Sequence, residues 1–387
     1  MKKKKKKLVF IVVEHASREL ESKKKIYKLF KKKDYTVFYG PRVIILFLIR
    51  VTNSTDFIFI DKGAQSYMND IFHFIKLRGG YVIIMEEEGW IPYSWEEFLN
   101  RRLSEDTVSN IDEYWCSNED QYAAVKDKYN KLNSKITGHP RFSEKKDIAT
   151  YPITRLSELK GKDVLFTSHF AMLVDIETYR TNIMSEMGSK FDEFWFQNVI
   201  KDMQFKKDEF YNCLSFFCGL GINCSLRLHP LETIKDIPIK FQHMISDESE
   251  YNNISLNGIT AVLHAGSTIS VDLSNKNIIV LCLDVGKFQK AALKYSDYHI
   301  CKNKENYKIG ACKDKRSSLP FDLNIDERDN LPVAKIHILK LKTFIYLINM
   351  IPIFLLNILI DLFRKDYKKE HKKIIKFHNE TGGKYVS

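Results

Sequence analysis

Short apolar runs alternate with charged, amphipathic stretches almost from the start of the chain. LVFIVV (8–13) is followed by a Lys-rich stretch over about 18–33. Then come TVFY (36–39), VIILFLI (43–49), FIFID (57–61) and YVIIM (81–85). Runs that are apolar at every position belong to strands covered on both faces. With helical stretches between them they predict a parallel sheet of an α/β fold, and VIILFLI is read as one of its strands. EYWCS (113–117), a helix over about 119–132 and ITGHPRF (136–142) complete this series. Residues about 143–160 are polar and without period, which predicts a boundary there. A second series opens at DVLFT (163–167) and passes through a long helical region over roughly 179–217. It continues as INCSLRLHP (222–230), GITAVLHAGST (258–268) and NIIVLCLD (277–284). The expected organisation is an α/β domain over 1–150, a second over 151–338 and a hydrophobic, basic tail over 339–387.

The tail changes the picture. TFIYLINMIPIFLLNILIDLF (343–363) is long enough for a bilayer, yet Asn349, Pro352, Asn357 and Asp361 interrupt it. Basic residues flank both ends and give no inside-versus-outside bias. The expectation is a helix lying in the membrane interface, with the Lys-rich 364–376 on anionic headgroups. A span, or a helix strapping the two domains together, stays open. The net charge of +12 is concentrated at Lys2–Lys7 and in this tail. No aromatic-rich basic motif of a nucleic-acid reader lies between them, so the anionic partner is lipid and not nucleic acid. The apolar run after Lys7 is too short for a secretory signal. Together these predict a cytoplasmic protein at the inner face of the cell membrane.

The seven cysteines are odd in number and form no C-x-x-C pair. They read as free thiols in a reducing compartment. The eleven histidines do not pair with them at zinc-like spacing, and neither a metal nor a cofactor is expected.

Ligands of open parallel sheets bind beyond the carboxyl ends of the strands. After the first strand stand Glu14 and His15, with Arg18 one turn on. After FIFI stands Asp61-Lys62-Gly63, and after YVIIM the triplet Glu86-Glu87-Glu88 with Gly89. Carboxylates at that density cannot enter a dry core unpaired. In the second series Arg227 and His229 lie two apart on extended chain and share a side, and Pro230 ends the strand. In His264-Ala265-Gly266-Ser267-Thr268, Gly266 permits close backbone approach. Ser267 and Thr268 can cap a following helix whose N–H groups face a phosphate, with Asp272 one turn later. Ser168-His169 repeats the arrangement after DVLFT. Each signal alone is most often a solvated turn or a helix cap; their order across two α/β series carries the weight.

VEHASRELESK, FIFIDKG, EEEGW, RRLSEDT, TGHPRF, RLHP and HAGSTISVDL, taken in order, resemble the bacterial surface-carbohydrate biosynthesis proteins. These are glycosyltransferase-like chains of the GT-B architecture. Glu87-Glu88-Gly89, His229-Pro230 and Ser267-Thr268 also resemble the three short motifs of bacterial sialyltransferases and Kdo transferases. The resemblance implies two tandem Rossmann-like domains, here followed by a C-terminal hydrophobic helix. It implies transfer of a sugar from a nucleotide sugar, CMP-linked and acidic, to a glycan or lipid-linked glycan acceptor. Glu88 becomes the general base, with Glu87 beside it. Arg227, His229, Pro230, Gly266, Ser267, Thr268 and Asp272 would hold the nucleotide sugar, and Arg18, Lys62, Ser168 and His169 would complete the cleft. The resemblance departs at Asp272, where a Glu is usual, and at SNKNIIVL (274–281). Three other readings stay open. In CDP-polyol phosphotransfer His15 is the base; the others are a UDP-sugar 2-epimerase of the same fold and a non-catalytic assembly scaffold.

Overall fold

The computed structural model describes residues 7–14, 16–51, 56–140, 152–246, 256, 258–273, 277–304 and 306–312, with residues 16–18 described by backbone only. The expected interfacial helix at 343–363, the N-terminal residues 1–6 and the Lys-rich 364–376 lie outside these residues. Among the described residues, no helix is long and apolar enough to cross a membrane.

The first half runs β1 (Lys7–Val12), α1 (Ala16–Lys32), β2 (Tyr35–Gly40), α2 (Arg42–Val51), β3 (Ile58–Asp61) and α3 (Asn69–Leu77). It continues through β4 (Tyr81–Met85), α4 (Trp95–Arg102), α5 (Glu105–Val108), β5 (Glu113–Cys116), α6 (Glu119–Lys128) and β6 (Ser134–Ile136). Its sheet has the order β2-β1-β3-β4-β5-β6, with every pair parallel. Both faces are covered, as the apolar runs require. Leu8, Phe10 and Val12 enter one core layer with Ile45, Ile49 and Phe72, while Val9, Ile11 and Val13 enter the other with Ile26, Tyr27 and Phe30. Each such side chain contributes about 1.5–3 kcal/mol on burial.

VIILFLI is the exception to the strand reading, because it lies within α2. Its buried residues are Ile44, Ile45 and Ile49, one face of a helix. Pro41 leads into this helix, its carbonyl accepting the Ile45 N–H at 3.0 Å. A short continuous apolar run fits a buried strand and a buried helix equally, and packing decides between them.

The second half runs β7 (Asp163–Thr167), α7 (Ile176–Met187), α8 (Glu193–Gly219), β8 (Asn223–Arg227), β9 (Ala261–His264), α9 (Ile269–Leu273), β10 (Ile279–Leu283), β11 (Tyr298–Asn303) and β12 (Asn306–Ala311). The order is β12-β11-β10-β9-β7-β8, parallel throughout except for the antiparallel β11–β12 hairpin at one edge. The long helical region expected over roughly 179–217 consists of two helices, α7 and α8. They break at Gly188, whose φ is +55°, before Asp192 caps α8 by accepting the N–H groups of Phe194 and Trp195.

Strand order reverses between β1 and β3 in the first sheet and between β7 and β9 in the second. Such reversals splay the flanking loops and open a crevice at the carboxyl ends of the strands.

Candidate functional site

At the first reversal the strand ends carry a dense ionic cluster. Asp61, fully buried, receives Arg42 through two bonds of 2.9 and 3.0 Å. The same guanidinium also pairs with Glu14. Lys62 bridges Glu14 at 2.7 Å and Glu19 at 3.0 Å. Burial pulls the Lys62 pKa down, but the carboxylates of Glu19 and Glu14 outweigh it and hold the ammonium charged. Glu19 is instead pushed toward its neutral form: burial and the neighbouring Glu87 raise its pKa against the pull of Lys23 and Lys62.

The acidic triplet extends this cluster from the end of β4, and its three members have three different surroundings. Glu86 is wholly buried and held by Arg102 through Nε and Nη2, both at 3.0 Å. It also accepts the Glu88 N–H at 2.9 Å, so it shapes the turn. Glu87 is paired with the buried Lys23 of α1. Glu88 keeps about a third of its side chain exposed (36%), with Arg102 Nη1 at 3.5 Å. Gly89 allows the turn to close, since a Cβ there would stand 2.4 Å from Gln121 Nε2. Glu14, Lys62, Glu87 and Glu88 therefore fall in one cluster. His15 lies outside the described residues, as does the Arg18 side chain.

The chain then crosses to the second half. Trp90 and Ile91 are buried with Val271, Cys282, Ala292 and Tyr295. Trp90 sits edge-on to Tyr295 at 5.9 Å, and Tyr93 meets Trp195 and Phe288 at 6.4 and 6.2 Å. Asp120–Lys294 at 2.6 Å and Arg101–Glu186 at 3.4 Å add ion pairs across the junction. Burial raises the Glu186 pKa; Arg101 and Arg102 oppose this and Glu88 reinforces it, which places the end of α7 within electrostatic reach of the acidic turn.

In the second half, the loops after β7 and β8 are locked together. The Ser168 hydroxyl bonds the Glu232 carboxylate, and both accept the His229 N–H, at 3.1 and 2.8 Å. Burial raises the Glu232 pKa against these bonds. His229 Nδ1 accepts the Leu231 N–H at 3.3 Å, which leaves the ring proton on Nε2. Arg227 ends β8, and its carbonyl accepts the Ser168 N–H at 2.9 Å.

Beyond β9, His264 is fully buried. Its Nδ1 accepts the N–H groups of Gly266 and Ser267, both at 3.2 Å, and its Nε2 bonds Ser296 Oγ at 3.1 Å. Burial lowers its pKa to about 3. The N–H groups of Gly266 and Ser267, just before the helix expected to face a phosphate, are thus engaged within the chain, and the Ser267 hydroxyl caps Ile269 at 3.3 Å. The open side of Gly266 (φ +121°) is filled by Gln289, whose Oε1 would stand 2.7 Å from a Cβ. Thr268 is exposed and Asp272 half-buried. The helix they begin is a single short turn, Ile269–Leu273.

Several of these residues carried no sequence signal of their own. Arg42, Lys23 and Gln289 are ordinary members of helices and loops in the sequence. Arg102 lies in RRLSEDT and Glu232 three residues after His229, but only the fold shows which carboxylate or hydroxyl each one meets.

A comparison with protein-family models found no match, and none of the curated proteins matched. Among solved structures, the chain is similar to S. aureus MnaA in a co-structure with UDP. The two share 13% identity over 73% of this chain and 80% of that one, with a TM-score of 0.40. It is similar to the wall teichoic acid polymerase TagF at 13% identity, over 73% and 71% of the chains, with a TM-score of 0.37. The glycotransferase of kitacinnamycin gives 11% identity over 76% and 84%, also at 0.37. At these values the functional reading depends on the geometry of this chain.

Proposed function

We propose that the chain is a nucleotide-sugar-dependent glycosyltransferase of surface-polysaccharide synthesis. The first half holds the acceptor and the second half the donor, a CMP-linked acidic sugar in the most specific form of the reading. One observation carries it: the turn that bears Glu88 runs directly into Trp90 and Ile91, which are packed in the second half. An acidic group from one strand-end rim is thereby fixed to the body that carries the other.

Within the triplet, Glu86 is held by Arg102 and Glu87 by Lys23, and Glu88 has the most exposed side chain of the three. A carboxylate in that position takes the proton of the acceptor hydroxyl as the hydroxyl attacks the anomeric carbon. The departing nucleotide phosphate requires cations or N–H donors. Arg227, the last residue of β8, and the Nε2–H of His229 just beyond it are suited to supply them. Arg102 positions Glu88 and touches neither substrate.

The test is a thermal-shift panel with CMP, CDP, UDP and GDP. Stabilisation by one of them, lost in His229→Ala, is the expected result; at 100 times Kd the gain is about 2.7 kcal/mol. A response to CDP or UDP alone transfers the reading to polyol-phosphate transfer or epimerisation. No response to any of the four removes the enzyme.

A further inference from the structure

The loop after β10 carries a feature that donor binding by the strand-end residues does not explain. Gln289 is a non-glycine residue in the left-handed region (φ 59°, ψ 26°), and its side chain lies against the bare backbone of Gly266. The residues before it rest on α8. Asp202 accepts the N–H groups of Lys287 and Phe288. Gly286 (φ +74°) admits this contact, since a Cβ there would stand 2.6 Å from Lys206 Cε.

Beneath the loop lies Lys206, its side chain only 2% exposed. An ammonium has three donors, and these three are unequally met. Phe288 O accepts at 2.7 Å, while Asp202 Oδ2 and Gln289 Oε1 stand at 3.4 Å. Beside them, His169 has neither ring nitrogen hydrogen-bonded among the described residues, and both nitrogens are inaccessible to solvent. Burial and then the Lys206 charge keep it neutral, while the Gln289 amide acts in the opposite sense without reaching bonding geometry. An acceptor oxygen, that of Gln289, thus sits over a glycine backbone, beside a loosely held ammonium and an imidazole lacking a partner. That is the environment of an anionic oxygen.

We propose that Lys206, His169 and Gly266 form a phosphoryl-oxygen subsite at the β7–β9 reversal, and that the Gln289 amide oxygen is its occupant in the free protein. Binding swings the Gln289 side chain away and hands the ammonium to the phosphate. The inference rests on the proposed function only for the identity of the molecule that carries the phosphoryl group.

The test measures binding of inorganic pyrophosphate, and of the four nucleotides, to the full chain by calorimetry. Gln289→Glu puts a carboxylate isostere where the amide oxygen stands. It is expected to raise the unfolding temperature of the free protein and to weaken pyrophosphate binding at least tenfold. Gln289→Ala removes the occupant and is expected to tighten binding several-fold. Lys206→Met is expected to weaken it at least tenfold; should that variant fail to fold, the two Gln289 variants decide. The subsite is overturned if Gln289→Glu destabilises the fold and binds pyrophosphate as wild type does, or if Gln289→Ala weakens binding. Nucleotide binding indifferent to all three substitutions also removes the subsite and leaves the proposed function standing. Pyrophosphate binding that follows the predicted pattern, with no response to any nucleotide, does the reverse. No binding of either probe ends both.

Discussion

The Glu86–Arg102 pair is the anchor of the acidic turn, and Arg102→Met tests it. Glu86 has no exposed surface and Arg102 only 6% of its side chain. Two charge-assisted bonds of 3.0 Å join them. Methionine keeps much of the apolar stem packing but removes the guanidinium, leaving a buried carboxylate with the Glu88 N–H at 2.9 Å. Breaking one side of such a buried pair costs about 3–5 kcal/mol. Neutralising both sides removes the stranded charge, so Glu86→Gln/Arg102→Met should lie within about 1–2 kcal/mol of wild type. The assay is urea unfolding followed by tryptophan fluorescence, with Trp90, Trp95 and Trp115 all in or near this half. With either single mutant costing about 3–5 kcal/mol and the double about 1–2, the double-mutant cycle should give a coupling of at least about 4 kcal/mol. A single-mutant loss below about 1 kcal/mol, or a double mutant as unstable as the single, would refute the anchor.

Other outcomes follow from the same geometry. His169 and His264 are held neutral, with pKa lowered to about 3 by burial. Unfolding lets each take a proton below about pH 6.5, so stability should fall as pH drops from there toward 3, by up to about 1.4 kcal/mol per pH unit per histidine. His264→Asn, which keeps an acceptor for the 266 and 267 N–H groups, should flatten that slope in urea titrations at pH 7.5 and 5. Gly266→Ala meets Gln289 Oε1 at 2.7 Å and a φ of +121°, and should cost about 1–3 kcal/mol. Adding Gln289→Ala should recover the steric part, read from the difference in urea midpoints. Trp90→Ala empties the junction beside Tyr295 and His139. A loss of about 3–5 kcal/mol is expected, with faster hydrogen exchange in both the 86–93 turn and the 290–295 segment.

The strands were largely legible because fully buried parallel strands leave a continuous apolar run, as 8–13, 57–61, 81–85 and 163–167 do. VIILFLI misled for the same reason, since a short helix covering a sheet face is equally apolar. The β11–β12 hairpin gave no clear signal, being a half-exposed edge with polar residues such as Lys302 and Asn303. In the candidate site, the sequence pointed to the strand ends but not to the countercharges. Lys23, Arg42 and Arg102 lie 64, 19 and 16 residues from Glu87, Asp61 and Glu86, the carboxylates they neutralise, and only the fold brings them together. HAGST read as an open phosphate cradle, because nothing in the sequence shows that His264 turns back onto its own loop or that Gln289 arrives over Gly266.

The most direct measurement of the central claim is nucleotide release from CMP-, CDP- and UDP-linked donors, run alongside calorimetric binding of the same donors. Wild type should release one nucleotide in the presence of a glycan acceptor. Glu88→Gln should bind that donor within about threefold of wild type yet lose at least 100-fold in rate, the scale of general-base catalysis. Release unchanged in Glu88→Gln, or no donor bound by wild type, would contradict it.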